Sequence, residues 1–395
     1  MSRRPPSDPP HPIVLVISDL DYGGAQRQVV ELANHMEDSR FDVHICSLSD
    51  YVPLADRIED RGRRLHVITK KWKYDVTVIP RLAKLLYRLK ADIVHGYLFD
   101  AEIAARLAGR LSRTPLIFGS ERNTDYRLKR RELVVYRLTR GCMDLIVANS
   151  SAGMQFSSRL LGYRPSQCRV IHNGVDTRRF HPHDEQALRH ELGIGDQEFV
   201  VGMFASFKKQ KNHPLFFGAA RRVLQRLPQT RLLLVGDELY GGMQGSDAYK
   251  RNMNRLVDEL DIRKRCLFLG NRHDVDRLYC LCDLTVLPSL FEGTPNVALE
   301  SMACGIPVIV TQVSDNERIV PDGRVGYVIP LGDEASLYER ICQLLEDSAR
   351  RRQMGQEARA WVESEFSVAR LVDKTARVYQ DALDSLDVAA GDGER

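Results

Sequence analysis

The chain has 395 residues, long enough for two domains, and its 43% hydrophobic and 28% charged residues exclude a disordered or fibrous protein. Its 57 Lys and Arg nearly balance its 53 Asp and Glu, and the resulting net charge of +4 does not indicate a dedicated nucleic-acid binder. The charge is uneven, because residues 61–140 hold 20 Lys and Arg against 7 Asp and Glu.

The first half of the chain alternates apolar runs with helical stripes, a pattern typical of an α/β domain with a parallel sheet. The run Ile13–Ile17 is typical of a strand buried on both faces. Further strands are predicted at 43–48, 65–68, 93–95, 116–118 and 144–148. Helices are predicted around 29–36, 53–61, 76–90, 101–111 and 127–140.

The second half repeats this alternation after a polar, turn-rich segment, 176–197, which is predicted to link two domains. Strands are predicted at 199–204, 232–235, 267–269, 284–287 and 308–310. Helices are predicted at 213–227, 247–260, 295–304, 334–346, 349–362 and 367–386. We therefore expect two doubly wound, Rossmann-like domains, with ligands bound at the carboxyl ends of the strands in a cleft between them.

Pro288–Val310 is the segment richest in candidate functional residues, with Glu292 in the loop after a strand and Glu300 on the following helix. A carboxylate at Glu300 can accept hydrogen bonds from two vicinal hydroxyls, such as those of a ribose. Thr294 is expected to cap the helix, with Pro295 as its first residue. The free amides of the next two residues, Asn296 and Val297, would then suit a phosphate. A solvated loop Glu and a helix-surface Glu remain the alternative.

Two other loops follow predicted strands. Lys208, Lys209 and Lys211 lie after the strand 199–204, where lysines can neutralise a diphosphate leaving group. Gly23 and Gly24 precede a helix, and a glycine pair lets the backbone approach a ligand closely. This pair lacks the spacing of a dinucleotide or Walker motif. A solvated basic turn and a merely tight turn are the respective alternatives.

The motifs EGTPNVALESMACGIPVI, KKQKNH, GGAQRQ and ANSSAG…VIHNGVD, spread over about 300 residues, together resemble the retaining GT-B-fold glycosyltransferases called group 1 glycosyl transferases. By this resemblance, Glu292 contacts the transferred sugar and Glu300 holds the ribose, as the two residues of an E-x7-E motif. Lys211 is similar to the lysine that grips the donor phosphates, and the Gly24 amide to the one facing the distal phosphate. Asn173 opens a segment similar to the N-G-V-D near the family's hinge.

Two positions depart from the family pattern. Ser206 stands where the family commonly has an arginine, five residues before the lysine, and Lys208 or Lys209 would have to supply that charge. The family's H-x-H is here His95-Gly96-Tyr97, so Tyr97 replaces the second histidine. His95 is either a structural residue at a strand end or part of the acceptor or sugar pocket.

The resemblance implies a retaining transferase that moves a sugar from a nucleoside-diphosphate sugar to a glycan or lipid-linked acceptor. No cofactor is expected, and no divalent metal is required if the lysines, the helix amides and the Gly24 amide stabilise the departing diphosphate. The acceptor domain would be 1–176 and the donor domain 177–366. A helix, 367–386, would pack on the first domain, and 387–395 would be a disordered tail.

The eight scattered cysteines, expected to be reduced, indicate a cytoplasmic protein. It would be soluble or peripheral on the inner face of a membrane, because no apolar run approaches the roughly 20 residues of a membrane span. The basic residues at 70–73, beside Trp72 and Tyr74, and those at 127–131 suit an anionic bilayer better than a nucleic acid, unless they form only a solvated basic face.

Three other functions remain open. A metal-dependent transferase would use an Asp-x-Asp, which occurs at Asp19–Asp21 and Asp274–Asp276. A nucleotide-sugar epimerase of the same fold is a second possibility. A catalytically inactive nucleotide-sugar-binding protein is the third, because of the departures at Ser206 and Tyr97.

Overall fold

The computed structural model describes residues 9–36, 40–72, 75–122, 129–239 and 245–392. The chain forms two compact units. The first consists of the residues up to Gly174 together with those from Val368 onward, and the second is Val175–Ser367. The division falls two residues before the predicted boundary at 176.

The first unit is built on a parallel sheet of seven strands in the order β3-β2-β1-β4-β5-β6-β7. Its strands are β1 His11–Ile17, β2 Phe41–Ser47, β3 Leu65–Val67, β4 Ile93–Tyr97, β5 Leu116–Glu121, β6 Leu145–Ala148 and β7 Cys168–Val170. Its helices are α1 Gly24–His35, α2 Arg61–Arg64, α3 Val78–Leu89, α4 Phe99–Ser112, α5 Arg130–Thr139 and α6 Ser151–Leu161. The predicted run Ile13–Ile17 is fully buried in β1, an interior strand that pairs with β2 and β4.

The second unit has a parallel sheet of six strands in the order β10-β9-β8-β11-β12-β13. Its strands are β8 Phe199–Phe204, β9 Thr230–Val235, β10 Cys266–Gly270, β11 Leu284–Leu287, β12 Val308–Thr311 and β13 Gly326–Ile329. Its helices are α7 Gln186–Glu191, α8 His213–Arg226, α9 Ser246–Glu259, α10 Val275–Cys280, α11 Asn296–Ala303, α12 Asn316–Ile319, α13 Glu334–Glu346 and α14 Ser348–Glu365. Two doubly wound parallel sheets confirm the predicted fold class.

The last helix, α15 Val368–Asp392, belongs to the first unit. Leu371, Tyr379 and Leu383 lie on its apolar stripe and are buried in the same core as strand β1. The helix continues past the end predicted at 386, as far as Asp392. The predicted disordered tail therefore differs from the structure over 387–392, while 393–395 lie outside the described residues.

Short elements account for most other differences from the predicted elements. The helix predicted at 53–61 is a 3₁₀ turn, Pro53–Arg57, followed by the four-residue helix α2. The predicted linker contains α7, and the strands β7 and β13 were not predicted. Within the described residues, no helix is both long and apolar enough to cross a membrane.

Candidate functional site

Two neighbouring strands of the second unit bring the lysine loop and the Glu292 loop together. Strand β8 pairs with β11 in parallel, so the loops that follow them leave the same edge of the sheet. The loops are also bonded directly to one another. The Leu290 amide donates to the Gln210 carbonyl over 2.8 Å, and the Gln210 side chain donates to the Phe291 carbonyl over 2.7 Å.

Lys211 and Glu292 form an ion pair across these loops, with 2.5 Å between Nζ and Oε1. Both side chains are largely buried, with exposed fractions of 13% and 8%. Lys211 ends a 3₁₀ turn, and Asn212 then takes a left-handed conformation with φ of 51° before helix α8 begins. Burial strengthens the attraction within a partly desolvated ion pair of this kind.

Lys208 and Lys209 differ in their surroundings. Lys208 is half-buried near Lys211 and Glu292, whereas Lys209 is exposed. Burial, followed by the charge of Lys211, lowers the pKa of Lys208 to about 8. Of the two lysines that could substitute for the arginine missing at Ser206, Lys208 is the one whose pKa responds to Lys211 and Glu292.

Glu300 lies on α11 and is 6% exposed. Its Oε2 accepts a hydrogen bond from the hydroxyl of Tyr279 over 3.0 Å. The Tyr279 ring stacks on Phe204, the last residue of β8, with 3.8 Å between ring centroids. The carboxylate thus has a fixed orientation, set by a tyrosine from α10 and a phenylalanine from the neighbouring strand.

Helix α11 starts one residue later than predicted. Pro295 has extended backbone with ψ of 99° and occupies the N-cap position, so the first helical residue is Asn296 and not Pro295. Thr294, predicted as the cap, precedes that position and is buried. Asn296 and Val297 nevertheless lie in the first turn, where amide groups point out of a helix.

In the first unit, Gly24 is the first residue of α1, as expected from the glycine pair. The same helix carries Gln28, whose amide exchanges two hydrogen bonds, of 2.8 and 2.9 Å, with the backbone of Gly174. The preceding residue, Asn173, is buried and accepts a hydrogen bond from Arg122 over 3.1 Å. Gly174, where the chain leaves the first unit, is thereby held against helix α1.

His95 and Tyr97 are both completely buried in β4. Nδ1 of His95 is 2.6 Å from the hydroxyl of Tyr379 on α15, and Nε2 is 2.8 Å from the hydroxyl of Ser120. Burial, and next the charge of Arg122, lowers the pKa of His95 well below its usual value. These contacts favour the structural interpretation of His95, a neutral core residue that binds the last helix.

Both Asp-x-Asp segments are engaged in local contacts. Asp274 forms a bidentate pair with Arg272, and Asp276 binds Arg179 over 2.9 Å. Asp19 accepts a hydrogen bond from Gln26 over 2.8 Å. These contacts do not favour the metal-dependent alternative, because the carboxylates of each segment already have partners.

Three residues that contact candidate site residues were not predicted from the sequence. They are Tyr279, which binds Glu300, Arg122, which binds Asn173, and Tyr379, which binds His95. Each contacts a candidate residue that lies on a different element, so no local spacing could have indicated it. The one available signal was the apolar stripe of the last helix, on which Tyr379 lies.

Two family models match the chain. Residues 22–179 match glycosyltransferase family 4, and residues 184–361 match the glycosyl transferases group 1. An Escherichia coli protein, UDP-Gal:alpha-D-GlcNAc-diphosphoundecaprenol alpha-1,3-galactosyltransferase, is 28% identical over 91% of this chain and 94% of its own length. N-acetyl-alpha-D-glucosaminyl L-malate synthase of Bacillus anthracis is 28% identical over 78% and 80%.

Solved structures agree on the fold. Anabaena HepE in complex with UDP superposes with a TM-score of 0.82 at 22% identity, covering 93% of this chain and 99% of that one. WaaG, a glycosyltransferase of lipopolysaccharide biosynthesis, gives a TM-score of 0.69 at 18% identity, covering 93% and 99%. Glycosyltransferase family models match both halves of the chain, and these structures match its fold, so this chain is a glycosyltransferase of the GT-B fold.

Proposed function

We propose that the chain transfers a sugar from a UDP-sugar to a lipid-linked acceptor, with retention at the anomeric carbon and without a divalent metal. The nucleotide is inferred from the similar proteins, which include a UDP-galactose enzyme and HepE in complex with UDP. The acceptor is inferred from the diphosphoundecaprenol in the name of the E. coli relative, which matches this chain over most of its length.

The observation that carries the proposal is the ion pair of Lys211 and Glu292, 2.5 Å long, at the same strand edge as the loop leading to Glu300. Such an arrangement suits the two ends of a nucleotide sugar. Glu300, oriented by Tyr279, would accept hydrogen bonds from the ribose hydroxyls. Lys211 would bind the diphosphate, and its release from Glu292 would leave that carboxylate to face the sugar.

The chemistry follows from where charge develops. When the bond to the anomeric carbon breaks, negative charge gathers on the departing diphosphate and positive charge on the sugar ring. Lys211 and Lys208 would stabilise the first, together with the amides of Asn296 and Val297 at the start of α11. Glu292 would stabilise the second. Since these groups supply the positive charge, the step as proposed needs no divalent ion. The Gly24 amide and a sugar or acceptor pocket that includes Asn173 remain predictions.

A lipid-linked acceptor would bring the protein to a membrane surface. Trp72 is 55% exposed, and helix α5 exposes Leu138 beside basic residues of the same helix. Lys70 and Lys71 precede Trp72, whereas Lys73, Tyr74 and Arg127 of the predicted basic clusters lie outside the described residues. Exposed apolar side chains next to cations suit the headgroup region of an anionic bilayer. Flotation with liposomes should show that the protein binds only vesicles with anionic lipid and that moderate salt releases it. If the protein does not bind anionic vesicles at low salt, a soluble acceptor is favoured instead.

The activity is tested by incubating the protein with UDP-, GDP- and ADP-sugars and a polyprenyl-diphosphate-linked N-acetylglucosamine, with and without EDTA. We expect transfer from a UDP-sugar that EDTA does not reduce, with retained configuration in the product. Loss of transfer with EDTA would contradict the metal-independent step. Binding of UDP-sugar without transfer to any acceptor of a broad panel would support the inactive sugar-nucleotide binder instead.

A further inference from the structure

A cysteine at the end of α10 lies against a histidine. The Cys280 sulfur is 3.5 Å from Nδ1 of His183 and 3.4 Å from the carbonyl oxygen of His181. The other ring nitrogen of His183 is 3.1 Å from Glu185, a largely buried carboxylate. Glu185 thus orients the imidazole ring so that its other nitrogen lies within hydrogen-bond distance of the Cys280 sulfur.

A second cysteine faces the same turn of α10. Cys304 follows the last residue of α11 and is 2% exposed, and its sulfur is 3.8 Å from the carbonyl oxygen of Asp276, one turn before Cys280. A hydrogen bond from Cys304, together with His183, lowers the pKa of Cys280 to about 7 although burial opposes the shift. The same contact and burial raise the pKa of Cys304. One thiol of the pair is therefore half-buried and acidic, and its neighbour is buried and protonated.

We propose that Cys280 and Cys304 form a reversible, peroxide-sensitive disulfide that weakens nucleotide binding at Glu300. The Cys280 thiolate attacks one oxygen of hydrogen peroxide, the O–O bond breaks, and the leaving hydroxide takes a proton to become water. The resulting sulfenic acid is attacked by the Cys304 sulfur, the S–O bond breaks, and the thiol proton leaves with the hydroxide as a second water. Two electrons pass from the sulfurs to the peroxide, and a dithiol reverses the reaction.

Each cysteine is connected to the candidate ribose site at Glu300, Cys280 through helix α10 and Cys304 through helix α11. Tyr279, which donates to Glu300, directly precedes Cys280. At the end of α11, the amide of the capping residue Cys304 donates to the Glu300 carbonyl over 3.1 Å. A disulfide must draw the Cys280 sulfur from His181 and His183 toward α11. The turn that carries Tyr279 then moves with respect to the Glu300 carboxylate. This consequence rests on the proposed donor site, whereas the disulfide itself does not.

The test exposes the full-length protein to hydrogen peroxide, maps the cross-link by mass spectrometry after blocking free thiols, and measures UDP affinity before and after reduction. We expect a Cys280–Cys304 peptide and an affinity about tenfold or more lower, as for the loss of a hydrogen bond to a charged group, restored by dithiothreitol. Cys280→Ser should form no cross-link and keep its UDP affinity under peroxide. Cys266→Ser should behave as the wild type, because burial raises the pKa of that thiol to about 12.

Two outcomes would overturn the proposal or part of it, and a third would overturn the proposed function instead. Oxidation of Cys280 without a bond to Cys304 refutes the disulfide. A complete cross-link with unchanged UDP affinity refutes its effect on the donor site. If the reduced protein binds no UDP, the proposed function is wrong, but the disulfide is not contradicted. Hydrogen exchange of residues 296–304 then decides whether oxidation disturbs α11.

Discussion

The half-buried lysine of the donor loop predicts an unusual pH dependence of nucleotide binding. Burial and the charge of Lys211 lower the pKa of Lys208 to about 8, while the carboxylate of Glu292 opposes the shift. If a diphosphate requires the charged form, binding must weaken as the pH rises through 8. In the free protein, the protonated fraction of Lys208 falls from about 90% at pH 7 to about 10% at pH 9.

An affinity that depends on the competent fraction falls in proportion to it, so the dissociation constant of UDP should rise about tenfold from pH 7 to pH 9. Isothermal titration calorimetry at both pH values measures this. Lys208→Arg is the matched variant, because a guanidinium stays charged throughout and should abolish the dependence. Lys209→Ala is the control, since Lys209 is exposed, and should keep the wild-type slope.

The contribution of Lys208 to folding stability should rise with pH, whereas UDP affinity should fall. Its folded pKa lies below the value of about 10.4 for an unfolded lysine, so the unfolded chain binds more protons between pH 8 and 10 and this contribution rises with pH. A UDP affinity that does not change between pH 7 and 9, or an equal slope in Lys208→Arg, would refute the assignment of Lys208 to the phosphates.

Two further predictions separate catalysis from structure. Glu292→Gln should lower turnover by about a hundredfold, since it removes charge facing the sugar, while UDP affinity stays within about threefold; an equal loss of UDP affinity would contradict this placement. Tyr379→Phe should lower the free energy of unfolding by about 1–3 kcal/mol, because buried His95 loses the hydroxyl 2.6 Å from its Nδ1. Urea denaturation measures it, with Tyr87→Phe as control, since Tyr87 is 77% exposed and should change stability by less than about 0.5 kcal/mol. Equal midpoints for both variants would count against a structural His95.

Much of the fold was predictable because strands buried on both faces leave an unambiguous sequence pattern. Ile13–Ile17 and Phe199–Phe204 are continuous apolar runs, and both became central strands. Strand β7 has three residues, and Arg169 at its centre is exposed, so its pattern is too short and too polar to be recognised. The start of α11 was displaced by one residue, because the preference of proline for the first helical position is a tendency that local backbone can override.

The sequence predicted which loops carry the candidate site, because those loops follow recognisable strands, but it did not predict the contacts within the site. The register of β8 and β11 explains why Lys211 meets Glu292, and the sequence motifs placed both residues at strand ends. The choice between Lys208 and Lys209 could not be made from sequence, because it depends on which side of a single turn becomes buried. The contact of Tyr279 with Glu300 could not be predicted either, since it joins two helices whose packing no local pattern specifies.

The central claim, that a nucleoside diphosphate binds in the second unit against Glu300, is tested most directly by titrating UDP into the wild type and Glu300→Gln by calorimetry. Glu339→Gln, an exposed acid of the same unit, serves as the control. We predict one UDP bound per chain, an affinity at least about tenfold weaker in Glu300→Gln because a charged acceptor is lost, and no change in the control. Equal UDP affinity in all three proteins, with their melting temperatures unchanged, would contradict it.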